Sequence, residues 1–116
     1  MNRIAISLLS VPMLCFGFSD YTKSTLDAAW DLHYSNHTSE AIELLTARIN
    51  DPSISNVEKV HYLNTRMGFY LAFKDYEKST QDSESLRSLC ISDPEADNEM
   101  WEHYEYSFIY SRCPSV

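Results

Sequence analysis

Apolar residues along the chain recur three and four positions apart, the spacing of helices that each bury one stripe. From Thr25 to Ser35 the stripe is Leu26, Ala29, Trp30 and His33, and Asn36-His37-Thr38 then makes a turn that ends in a helix-capping residue. A second helix, from Ser39 to Asn50, carries Ala41, Ile42, Leu44, Leu45 and Ile49 on its apolar side and stops at Asp51-Pro52. Its first turn holds Glu40, where the helix dipole favours an acid. Ser55-Asn56-Val57-Glu58 matches the reciprocal capping box, so a third helix begins near Asn56 and presents Val57, Val60, Leu63, Met67, Tyr70 and Leu71. Lys74-Asp75 interrupts that stripe. A fourth helix, Tyr76 to about Ile91, follows so closely that the third and fourth must lie antiparallel. The middle of the fourth, Thr80 to Ser85, is polar, which predicts that its central turns are the most exposed and mobile. After Asp93-Pro94, the residues Met100, Trp101, Tyr104, Phe108 and Ile109 predict a fifth helix that frays near Arg112.

Composition supports an all-helical reading, because two glycines and four prolines in 116 residues leave few of the turns that sheets demand. Residues 1–19 have the form of a cleaved export signal. Met1-Asn2-Arg3 gives a positive start, Ile4 to Phe16 is an apolar run without a charge, and Gly17-Phe18-Ser19 precedes a cut before Asp20. The run is short for a membrane span and contains Pro12, so no span is expected after cleavage. Residues 20–116 then form one domain, periplasmic or secreted. In that compartment Cys90 and Cys113 remain as an even pair, which predicts a disulfide within the chain or between two chains. A fifth helix running regularly from Pro94 would carry Cys113 far from Cys90, so a long regular helix and an internal bridge conflict. Without Arg3, the nine Lys and Arg become eight against 17 Asp and Glu. Such an acidic chain repels nucleic acid and favours a basic partner.

The run Met67, Tyr70, Asp75-Tyr76-Glu77-Lys78-Ser79 and Leu86 resembles the tetratricopeptide repeat (TPR), a helix hairpin that stacks into a solenoid and binds other proteins. That family puts small residues twelve apart where its two helices touch. Ala29 with Ala41, and Met67 with Ser79, stand at this spacing and are offset by 38 residues against a usual repeat of about 34. The resemblance implies about five helices in antiparallel hairpins stacked as a short TPR-like solenoid, with a third, half unit around Trp101, Tyr104 and Phe108. It departs from the family at Met67, which is large, and at Ser79, which replaces the usual alanine. The resemblance also implies a groove lined by the first helix of each unit: Trp30, His33 and Tyr34, then His61, Asn64 and Leu71, then Glu99, Glu102 and Tyr106. An unrelated bundle of helices would show the same periodicity without such a groove.

No motif for catalysis or a cofactor stands out. Asp93, Glu95, Asp97 and Glu99 alternate like the start of a calcium loop, but Asn98 and Tyr104 occupy the positions that need glycine and a bidentate glutamate. His33 and His37 lack a third zinc ligand, and His103 beside Glu99 and Glu102 reads as a solvated helix face. The sequence therefore predicts no enzyme, no metal and no cofactor. It predicts a protein-protein interaction module, an adaptor or assembly factor of the periplasm or envelope. An inhibitor or immunity protein that plugs a basic toxin enzyme is the other role.

Overall fold

The computed structural model describes residues 19–104, and these form five helices. They are α1 (Asp20–Tyr34), α2 (Thr38–Ile49), α3 (Asn56–Ala72), α4 (Tyr76–Ser92) and α5 (Pro94–Tyr104). The chain is all-α among the described residues, its antiparallel hairpins α1/α2 and α3/α4 stacked as a short solenoid with α5 beside them. None of these helices is long and apolar enough to cross a membrane. Residues 1–18 of the expected export segment 1–19, and Tyr106, Phe108 and Cys113, lie outside the described residues.

Both hairpins close in the same way. The amide of His37 donates to the Leu32 carbonyl at 2.7 Å and that of Asn36 to His33 at 3.1 Å; in the second hairpin Asp75 donates to Tyr70 and Lys74 to Leu71, each at 2.9 Å. These are paired Schellman bonds, and they require a left-handed residue, supplied by Asn36 (φ 67°) and Lys74 (φ 60°). Asparagine tolerates that conformation better than lysine does, so the second turn carries the greater local strain. The two turns stand 38 residues apart, the same offset as the twelve-spaced pairs. Those pairs sit at the two hairpin interfaces: Ala29 and Ala41 are buried, as are Met67 and Ser79, and the Ser79 hydroxyl donates to the Met67 carbonyl at 3.3 Å.

The expected helix starts hold for α3, where Ser55 and Glu58 complete the capping box. They differ for α1, which begins five residues before Thr25. Ser19 caps it by accepting from the Thr22 amide, and the buried Thr22 hydroxyl donates to Glu58 on α3 at 2.9 Å. Polar contacts, invisible to an apolar stripe, hold that first turn.

The core has two parts. Ala29, Ala41, Leu45, Tyr62 and Phe69 fill the junction of α1, α2 and α3. Val60, Leu63, Met67, Leu86, Cys90, Ala96 and Met100 fill that of α3, α4 and α5. The polar middle of α4 is exposed on one side, at Thr80, Gln81, Glu84 and Ser85, as its composition predicts, but not at Asp82 and Ser83, which are buried. Asp82 is buried because Arg66 on α3 grips it with two bonds, Nε to Oδ2 at 2.9 Å and Nη2 to Oδ1 at 2.7 Å. Its remaining Nη1 donates to Thr46 on α2 at 2.9 Å. A bidentate pair with its other donor satisfied can be buried where a lone carboxylate cannot.

Candidate functional site

The first helices of successive units lie side by side and parallel. Thr22 meets Glu58 near the starts of α1 and α3, and eleven residues further along each helix His33 meets Phe69. Helix α5 continues the row, since Asn56 bonds Asp93 at 3.0 Å and His61 bonds Glu99. The parallel arrangement also brings both Schellman turns to one end of the molecule.

That end is aromatic. Phe69, fully buried, receives the edge of Trp30 at 4.9 Å between ring centroids and the stacked ring of His33 at 4.8 Å. Tyr34 stacks on Trp30 at 5.6 Å, and the Thr38 hydroxyl anchors His33 Nδ1 at 2.9 Å. Trp30 remains 38% exposed and Tyr34 75%, and around the second turn Leu71, Phe73 and Tyr76 are exposed as well. A half-buried tryptophan braced by a buried ring is a rigid apolar surface whose ordering cost has already been met.

Between α3 and α5 the seam is polar and closed. Glu99 Oε2 lies 2.6 Å from His61 Nε2, the Tyr104 hydroxyl lies 2.7 Å from His61 Nδ1, and His103 Nε2 lies 3.2 Å from the same Glu99 oxygen. Burial lowers the pKa of His61, a shift that its hydrogen bond to the Glu99 carboxylate opposes. The imidazole is therefore neutral at pH 7. Burial, with the Glu99 charge adding to it, raises the Tyr104 phenol to about 12. One set of protons satisfies all three groups: Nε2–H donates to the Glu99 carboxylate, and the Tyr104 O–H donates to Nδ1.

The nine residues expected to line one groove thus divide. Trp30, His33 and Tyr34 come together at the aromatic end, with Leu71 exposed near the second turn. Asn64 is half-buried, Glu102 is exposed, and Tyr106 lies outside the described residues. His61 and Glu99 are corrected: they are 1% and 5% exposed, each covered by the other's helix, and offer a partner almost no surface. Glu99 is also not on the solvated helix face assigned to it beside His103. Two participants were not foreseen, Phe69 as the support of the aromatic end and Tyr104 as the second partner of His61. The signal that could have found the His61–Glu99 pair is the 38-residue offset. Both residues hold the same place in successive units, and parallel neighbours bring such places side by side.

No family model, no curated protein and no solved structure matches this chain.

Proposed function

We propose that the chain acts by binding another protein, as an adaptor or assembly factor, through the aromatic end where α1 and α3 finish. The observation that carries this reading is the exposure of Trp30 and Tyr34 over a buried support, Phe69, beside a second turn with Leu71, Phe73 and Tyr76 exposed. Exposed aromatics on a rigid scaffold are where binding energy concentrates in interfaces. The resemblance of the sequence to tetratricopeptide repeats points the same way. A net charge of −8 favours a basic partner, and no bond is made or broken in this mechanism. The same charge suits an inhibitor of a basic toxin enzyme, which would bind one folded partner tightly rather than peptides weakly and reversibly.

The proposed setting is the periplasm or cell envelope, on the strength of residues 1–19. A cut before Asp20 would remove the Ser19 cap but leave the acid of the first turn, so α1 would lose about 1 kcal/mol of capping and keep its tie through Thr22 to Glu58. A Cys90–Cys113 bridge belongs to the same proposal; Cys90 is buried beside α5.

The test is capture from an envelope extract by the wild-type chain and by a Trp30→Ala/Tyr34→Ala variant, each verified as folded by circular dichroism. Partners captured by the wild type should be lost from the variant. A variant that captures the same proteins in the same amounts would remove the aromatic end from the account.

A further inference from the structure

Three ligand-type side chains converge in the polar seam. His61 and Glu99 face each other across two helices. His103, one turn beyond Glu99 on α5, brings a second imidazole nitrogen to the same carboxylate oxygen. One ligand-capable atom from each of the three residues lies within 4.8 Å of the others. We propose that His61, Glu99 and His103 bind a single divalent transition-metal ion of the zinc class, which clamps α5 to α3.

The donor set selects the ion. Two imidazole nitrogens and one carboxylate oxygen suit zinc and its borderline neighbours, whereas calcium and magnesium take oxygen ligands throughout. The spacing of each histidine from Glu99 is also close to what an ion requires. Ligands held at 2.0–2.1 Å around a tetrahedral ion stand about 3.3 Å apart. The His103–Glu99 contact is 3.2 Å, and the His61–Glu99 contact at 2.6 Å must open by about 0.7 Å. Two of the ligands are held by burial on regular helices and therefore need little ordering.

The outer contacts fit as well. A metal-bound histidine normally donates its other ring N–H to an oxygen, which fixes the ring. When Nε2 of His61 takes the ion, its proton moves to Nδ1, which already faces the Tyr104 hydroxyl at 2.7 Å. The hydroxyl then turns from donor to acceptor, and the ring does not have to move. The His103 side chain is 42% exposed, which gives the ion a way in from solvent. Three protein ligands leave a fourth position for water. The clamp joins the third unit to the second, independently of what the aromatic end binds.

The experiment uses tag-free full-length chain stripped with chelator. It is titrated with zinc sulfate by calorimetry and with cobalt(II) under visible absorption. Wild type should take one zinc ion per chain at micromolar concentration and give the intense visible bands of a tetrahedral cobalt site. Because His103 is at the surface, His103→Ala should stay folded, and its affinity should fall by more than the about 10–100-fold that loss of an outer-shell partner costs. Tyr104→Phe should fall within that outer-shell range. His37→Ala removes a surface histidine that lies 3.7 Å from Glu40, away from the seam, and should bind as wild type does. Failure of wild type to take up zinc would overturn the proposal. So would unchanged affinity in His103→Ala, or an equal loss in His37→Ala.

Discussion

Along the row of α1, α3 and α5, each seam mixes apolar and polar contacts, but the end of one is aromatic and the centre of the other is a buried hydrogen-bonded chain. Between α1 and α3, Trp30 and His33 pack on Phe69. Between α3 and α5, Tyr104, His61 and Glu99 form a hydrogen-bonded chain, with Asn56 and Asp93 bonded near its start. The difference lies in what each seam can leave undone. A ring that stays partly in water only forgoes some burial, at about 25 cal/mol per Å². A buried polar group left without its partner costs about 1–3 kcal/mol. The aromatic seam can therefore hold two helices together and still offer surface to another protein, while the polar seam has to be complete or be opened at a cost. Arg66 and Asp82 show the polar solution as a buried ion pair, with the guanidinium also bonded to Thr46 inside the stack.

The contrast can be broken at either seam. The largest effect is expected from Phe69→Ala, which empties the support under Trp30 and His33 and should lower stability in urea by about 3–5 kcal/mol. Next is Glu99→Ala, measured with chelator present, which strands the buried His61 Nε2–H and should cost about 1–3 kcal/mol. Glu99→Gln keeps an acceptor there and should cost less. Trp30→Ala should cost only about 1–2 kcal/mol, because much of the ring is already in water. If Trp30→Ala destabilises as much as Phe69→Ala, the exposed ring is core and the proposed surface loses its principal residue.

Acid should act on the polar seam. The Asn56 amide, and then the backbone amide of Glu95, hold the Asp93 carboxyl below its ordinary value of 3.8. The folded group has the lower pKa, so its stabilisation is complete above about pH 4 and is lost as pH falls through the depressed value. Unfolding measured from pH 6 to 2 should show this decline in wild type and a flatter profile in Asp93→Asn.

The helices were legible in the sequence because their cause is local: periodic apolar residues, the Ser55–Glu58 capping box, and the Asp-Pro stops. The 38-residue offset was legible too, and the Schellman turns at Asn36 and Lys74 repeat it in the backbone. What could not be read was the burial of polar residues. Asp82 looks like a solvent residue until Arg66 and Thr46 arrive from two other helices, and Glu99 looks like part of an acidic helix start until α3 covers it with His61. Aromatic residues announce themselves singly, so Trp30 and Tyr34 were found. Their support, Phe69, lies off the stripe traced through Met67, Tyr70 and Leu71.

The central claim is that the stacked hairpins present one aromatic end to another protein. It is tested most directly by hydrogen exchange with mass spectrometry on the full chain, alone and with the partner recovered in the capture experiment. The account predicts slowed exchange over residues 30–37 and 69–76, with little change over the middle of α4. Protection confined to α4, or no protection at the two turns, would contradict it.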